Sequence, residues 1–283
     1  MNLYVTTAEL KTYLGISVST YDSLLAMLNK QATAMINGIL SASDLALHKV
    51  SAERHDAKGQ TLYLHDPHVQ AIGTIMDDTT EYTQDDAYDI SGSTLHLADY
   101  LIQGDRKLTI DYAAGWNASG MAKITVTDYS NIAAAATITL GAISADGYTI
   151  TRGTDWTAGT SNDTEAAAIA TAIDNKAGTR AFAIKNVVYI IEDSNPQVNT
   201  RTLSTSDSTR LAKSAATLSA LDFPEDIRGS VMILVSSLYN GRKNPKLKSY
   251  TIGSKSVSFA TESEFQMFKS MINPYMRVKI TAI

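Results

Sequence analysis

Apolar positions recur at helical spacing near both ends of the chain and at strand spacing through most of the stretch between. Thr6-Thr7-Ala8-Glu9 reads as a capping box, in which the Thr6 hydroxyl reaches the Glu9 amide and the Glu9 carboxylate reaches back. Leu10, Tyr13 and Leu14 give the helix it opens an apolar side, and Gly15 ends it. A longer helix is predicted over residues 20–40, where Tyr21, Leu24, Leu25, Leu28, Met35, Ile36 and Ile39 share one broad face. Much later, Asp222-Phe223-Pro224-Glu225 combines an Asp cap, a first-turn proline and a nearby Glu. It opens a stripe of Ile227, Val231, Leu234, Val235 and Leu238 that Asn240-Gly241 stops. A last helix is predicted over residues 262–274, with Phe265, Phe268, Met271 and Ile272 inward. The stripes of 20–40 and 224–239 lack a sequence neighbour to cover them, so they are expected to pack on each other from opposite ends of the chain.

Between these ends the period changes to two. Leu62, Leu64, Val69, Ile72, Ile75, Tyr88, Ile90, Leu95, Leu97, Leu108 and Ile110 recur at strand offsets, separated by polar turns. From about residue 120 to 221 the composition shifts to Ala and Thr. Strands are predicted at 123–127, 136–140 and 147–151, then a helix over 164–174 capped by Asn162 or Asp163. A strand pair, 181–184 and 187–191, turns at Lys185-Asn186. Roughly a hundred residues suffice for a small core of their own. The fold class expected is α+β: a helical bundle core with a β-strand and hairpin subdomain, interrupted by a small inserted α+β domain. Residues 1–118 and 222–283 would form the core, and 119–221 the insert.

Composition narrows the chemistry. The chain has 283 residues, a formal net charge of −5 and no cysteine. Disulfides, thiolate catalysis and cysteine-ligated metals are therefore excluded. The negative balance argues against a protein whose main task is gripping phosphates. No window approaches the ~18 apolar residues of a membrane span, and the N-terminus lacks a signal-peptide pattern. A soluble protein made in the cytoplasm is expected.

The order of elements resembles the head-to-tail connector, or adaptor, proteins of tailed bacteriophages. The resemblance is carried by the opening T-x-x-E-L-K-x-Y-L-G-I and the long helix ending near Met35-Ile36-Asn37-Gly38. The turn His55-Asp56-Ala57-Lys58-Gly59, the strand Thr61–Leu64 with Pro67, and Tyr88-Asp89-Ile90 follow. Next come the strand Lys107–Trp116, the proline-started helix Phe223–Tyr239 and the run Tyr250–Phe259. The match covers about 1–118 and 222–283. The insert departs from the family, which passes from that strand to the proline helix within a few residues. Its Gly153–Gly159 loop, Ala-rich helix and Ala181–Ile184 strand are similar to a small module of phage tail and baseplate proteins.

The resemblance implies a structural virion protein, assembled in the host cytoplasm and not an enzyme. It would form a homo-oligomeric ring, commonly of twelve copies, beneath the portal protein. The ring would meet a tail, stopper or tail-terminator protein and let genomic DNA pass during genome packaging and tail assembly. The tail Val278, Lys279, Ile280, Thr281, Ala282 and Ile283 is the candidate portal contact, as an alternating strand that can add to a partner's sheet. The one basic run supplies a candidate contact loop, Arg242, Lys243, Lys246 and Lys248. An alternative is a carbohydrate- or receptor-contacting virion protein using residues 119–221, with Tyr148, Trp156 and Tyr189 as the aromatic candidates.

No cofactor or metal is expected. His65-Asp66-Pro67-His68, near His55-Asp56, straddles a proline with nothing to make its ligands converge. Asp77, Asp78, Glu81, Asp85, Asp86 and Asp89 lack a calcium-loop register and read as a charged hairpin rim. Asp155 and Trp156 suggest either a ligand loop or, more simply, a tryptophan covering a small core. Nucleophile-elbow, P-loop and dinucleotide motifs are missing from the sequence.

Overall fold

The computed structural model describes residues 3–40, 45–57, 61–66, 68–77, 80–82, 88–91, 94–97, 104–117, 120–142, 146–192, 201–218, 223–241, 248–252, 255–259 and 262–275. Its helices are α1 (Thr7–Leu14), α2 (Asp22–Leu40), α3 (Asn162–Asp174), α4 (Glu225–Gly241) and α5 (Glu262–Ile272). The architecture is mixed α+β, and among the described residues no sheet closes into a barrel. No described helix is long and apolar enough to cross a membrane. Two compact units make up the chain: Met1–Leu45 with Asp222–Ile283, and Ala46–Leu221. The strands that follow α2 thus belong with the 119–221 segment, and the helices of the two chain ends stand together.

In the helical unit α2 and α5 both pack on α4, with a hairpin of Lys248–Ile252 and Lys255–Phe259 beside them. Leu25, Leu28, Ile36 and Ile39 of α2 are buried, as are Ile227, Val231, Leu234 and Val235 of α4. The α1 capping box forms as the sequence predicts, and Gly15 takes the left-handed conformation at φ 66 that only glycine adopts without strain. The N-terminal segment is tied in by its polar groups. Tyr4 is buried, donates its hydroxyl to Asn37 Oδ1 at 2.7 Å and accepts the Leu45 amide at 2.9 Å. Its ring stacks on Phe223, and Asn29 Nδ2 donates to the Val5 carbonyl. Asn37 is thus a buried polar residue of α2 with a partner, and Asn29 is satisfied at Nδ2 while its Oδ1 is buried without one.

The second unit begins with β1 (His48–Ala57), β2 (Thr61–Tyr63), β3 (Val69–Asp77), β4 (Thr80–Tyr82), β5 (Tyr88–Ser91), β6 (Thr94–Leu97) and β7 (Gly104–Ala114). They form two antiparallel sheets, β1-β7-β3-β4 and β2-β6-β5. In the first, Ile110 lies opposite Glu53 on β1 and Ile75 on β3. Leu62, Leu64, Leu95, Leu108, Ile110 and Tyr112 fill the core these strands share. The apolar alternation of the sequence is the inward face of these pleats.

The unit continues as β8 (Met121–Val126), β9 (Thr137–Leu140), β10 (Tyr148–Thr151), β11 (Thr179–Ile184), β12 (Val187–Glu192), β13 (Arg201–Thr205), β14 (Leu211–Lys213) and β15 (Thr217–Leu218). Sheets β10-β9-β13-β15 and β11-β12-β8-β14, with α3, enclose one core around Ile124, Ile138, Ile150, Ile169 and Ile190. A Cβ on Gly120 would stand 2.7 Å from the Leu218 carbonyl, so the segment's two ends approach backbone to backbone and glycine is required there. A second apolar seam joins Ile184, Tyr189 and Ile191 to Leu47 and Ala113 of the preceding strands. The 119–221 segment therefore shares packing with the sheet β1-β7-β3-β4.

Candidate functional site

Among the described residues outside the 119–221 segment, an assembly of titratable side chains lies where β1 meets the turn before β3. β1 carries a bulge at Ala52, whose φ is 54 and whose amide donates to Asp111 Oδ1 at 2.6 Å. Just past it, Glu53 collects donors from three places. Its Oε1 accepts from His55 Nε2 at 2.6 Å and from the His65 backbone amide at 2.7 Å. Its Oε2 accepts from the Tyr112 hydroxyl, which itself accepts the Asp66 amide at 3.1 Å. His48 Nδ1 is 2.8 Å from the Ala46 carbonyl, and its Nε2 is 3.5 Å from Asp66 Oδ2. His68, at φ 55, stacks on Trp116. Of the chain's five histidines, His48 and His55 place their rings in this corner and His65 adds its backbone amide.

What this corner does chemically follows from its occupancy. Burial pushes the Glu53 carboxyl up, but the His55, Tyr112 and His65 hydrogen bonds outweigh it and hold the group below the usual carboxylate range. Burial, reinforced by Glu53, pushes the Tyr112 hydroxyl well above its ordinary value, so it stays a donor. Both Glu53 oxygens are engaged, which suits a clamp between β1, β7 and the turn better than a general base. Among the described residues no three His, Asp or Glu side chains converge to hold a metal. The side chain of His65 is exposed and that of His68 is engaged on Trp116, so the His65–His68 pair does not point at one centre.

This clamp carries a pH prediction. A carboxyl depressed by folding contributes stability above its unfolded value, 4.5, and loses it as pH falls through the folded value. Glu53→Gln is expected to cost about 1.5–3 kcal/mol at neutral pH, the worth of hydrogen bonds to a charged group. It is also expected to flatten the fall in stability below pH 4.5. Urea midpoints from pH 7 down to pH 3 read both effects; an unchanged acid limb would remove Glu53 as its source.

Among the described residues of the 119–221 segment, several buried polar groups are paired with one another. Glu165 on α3, fully buried, pairs with Arg152 Nε at 3.0 Å and accepts from Trp156 Nε1 at 2.9 Å and from the Gly159 amide. Trp156 belongs to the core, which settles it as a core residue and not a ligand-loop aromatic; Asp155 is taken up by Lys176 at 2.9 Å. Tyr189 is 2% exposed and Trp156 4%, and the Tyr148 hydroxyl contacts Thr179. A carbohydrate-contacting surface needs exposed aromatics, so Trp156 and Tyr189 do not supply one, and of the three candidates only the half-buried Tyr148 keeps part of its surface open.

Most of the remaining sequence-derived candidates lie outside the described residues. Asp77 is buried at the end of β3 and Glu81 is exposed on β4. Asp78, Asp85 and Asp86 lie outside the described residues, as does the side chain of Asp89. Arg242, Lys243 and Lys246 also lie outside them, and Lys248 begins a strand with its side chain outside them. Val278, Lys279, Ile280, Thr281, Ala282 and Ile283 lie outside them too. The Glu53–Tyr112 pair, 59 residues apart, was missed by sequence reasoning; the only signal was an interior-register Tyr on a strand rich in small apolar residues.

No family model matches the chain. No curated protein matches it either. Among solved structures it is distantly similar to a chain of the "Neck of empty GTA particle computed with C6 symmetry". The likeness covers 41% of this chain and 67% of that one, at 16% identity and a TM-score of 0.30.

Proposed function

We propose that the chain is a subunit of a head-to-tail adaptor ring, a structural part of a phage-like particle that sits beneath a portal and passes DNA. The observation that carries this reading is the helical unit assembled from Met1–Leu45 and Asp222–Ile283. The helical motifs of the sequence resemblance come from these two ends, its strand motifs from residues 55–116 of the other unit, and an adaptor with an insertion must still join the ends. The capped α1, the long α2 and the proline-started α4 meet there in the order the resemblance requires. In this reading the ring holds about twelve copies, the Val278–Ile283 tail docks on the portal, and the Arg242–Lys248 loop meets an acidic partner surface or the passing DNA. The work is mechanical: no bond is made or broken.

Negative-stain imaging of the purified chain tests the proposal. Annular particles with a central opening wide enough for duplex DNA, ~20 Å, are expected. A stable monomer at high concentration, with and without portal-bearing heads, would sink it.

A further inference from the structure

Asn29, Thr33 and Asn37 stand one turn apart along α2, and all three are buried, the first two completely. Asn37 takes the Tyr4 hydroxyl on its Oδ1 at 2.7 Å. Asn29 gives its Nδ2 to the Val5 carbonyl at 2.7 Å, and this bond fixes the amide, because the flipped amide would set Oδ1 against that carbonyl. Asn29 Oδ1 is left buried without a protein partner, and so is Thr33 Oγ1. Threonines elsewhere in the helices behave differently. Thr12 and Thr171 donate to the carbonyls of Ala8 and Ala167, four residues back, at 3.0 and 2.9 Å. Both of those are exposed, whereas Thr33, fully buried, makes no such bond. Folded proteins seldom bury an amide oxygen and a hydroxyl side by side without something to bond them.

We propose that Asn29 Oδ1 and Thr33 Oγ1 hold one internal water molecule between them. The inference is independent of the ring reading. Side chains four apart on a helix stand about 5–6 Å apart at Cβ, and a water making two hydrogen bonds of about 2.7–3.0 Å spans such a gap. The water donates to Asn29 Oδ1, which can only accept, and either donates to the Thr33 hydroxyl or accepts from it. Two polar partners are the fewest that a buried water ordinarily has. The site selects water over an ion, since neither oxygen carries a charge and the buried residues of α2 around them include the apolar Leu25, Ala32 and Ile36. The water completes a chain from the Val5 carbonyl through Asn29 to Thr33, beside the one that runs from the Leu45 amide through Tyr4 to Asn37. The N-terminal segment is then fastened to α2 at two places, and Thr33 is a positioning residue for one of them.

Thr33→Val tests the proposal through the sign of its effect. Valine keeps the shape of the side chain and puts a methyl where the hydroxyl was. If the hydroxyl holds the water, the change removes one of the water's two partners and strands Asn29 Oδ1. The full chain is then expected to melt a few degrees below the parent. A dry, unpaired hydroxyl gives the opposite result, because valine relieves a buried polar group. A variant that melts at or above the parent therefore overturns the site. A crystal structure of the full chain that resolves ordered solvent gives the second reading. A water peak within about 2.7–3.2 Å of both oxygens is expected in the parent and is expected to be lost in Thr33→Val. No such peak in the parent, or one that survives Thr33→Val, overturns the proposal whatever the variant does on heating.

Discussion

Replacing Val235 or Leu28 by aspartate unfolds the helical unit. Val235 is fully buried on α4, and Leu28 is 5% exposed on α2, the helix that packs against it. Most of the buried side chains of α2 and α4, among them Leu25, Ile36, Ile227, Val231 and Leu234, can neither accept nor donate a hydrogen bond. A carboxylate placed there loses its hydration and gains no partner, and protonating it still leaves a polar group in an apolar contact. The cost expected is more than about 4 kcal/mol, a large share of the ~5–15 kcal/mol that holds an ordinary domain together. Gln31→Asp, on the exposed face of the same helix, is the control and should stay within about 0.5 kcal/mol. Helical ellipticity followed on heating reads the difference. If both core variants melt with the parent, α2 and α4 do not depend on each other, and the two ends of the chain are not one unit.

That pairing was legible in the sequence because helices announce themselves locally. The Thr6–Glu9 box, the Gly15 stop and the 3.6-residue stripes of α2 and α4 need only near neighbours, and these are realised, whereas Tyr13 of α1, expected on the apolar side, is 50% exposed. The cap of α3 was harder. Thr160-Ser161-Asn162-Asp163-Thr164 offers several side-chain acceptors in a row, and the helix takes Ser161, with Thr164 answering, where Asn162 or Asp163 was expected. Asn162 instead reaches across to the Tyr129 amide at 2.8 Å. Strands β13, β14 and β15 were not anticipated at all. They are five, three and two residues long, and their inward residues, Leu203, Leu211 and Leu218, are too far apart to show a period.

Buried polar pairs escape sequence reasoning for a related reason. Glu165 looks like a solvent-facing first-turn acid, yet it is fully buried because Arg152 and Trp156 are brought over it by the turn after β10. Glu53 and Tyr112 meet only because β1 and β7 pair in one particular register. Such partners are chosen by tertiary geometry, and hydropathy along the chain carries no trace of them.

Arg201 is the sharpest case, and its removal is the second large effect expected. It opens β13 and is 0% exposed. Its Nε and Nη2 donate to Glu192 at 2.9 and 3.1 Å, and Nη2 also to Asp146 Oδ2 at 2.6 Å. Its Nη1 donates to the carbonyls of Gly141 and Asp146 at 2.9 and 3.2 Å. All three nitrogens are occupied, and the side chain ties the end of β12 to the β9–β10 connection and so joins the two sheets of the 119–221 core. Arg201→Met leaves Glu192, itself 2% exposed, as a buried carboxylate without its cation. Breaking such a pair from one side costs about 3–5 kcal/mol, whereas replacing both partners by apolar groups of similar size is often close to neutral. The double change Arg201→Met, Glu192→Met is therefore expected to be more stable than Arg201→Met alone, by about 2 kcal/mol or more on the same grounds. Asp146, a third exposed, turns to water in either variant. Urea unfolding of the full chain, followed by tryptophan fluorescence, measures all three proteins, with Trp156 reporting from the same core. A double variant no more stable than the single one would show that Arg201 acts through its bonds to the Gly141 and Asp146 carbonyls, and that the carboxylate it covers is not what makes its loss costly.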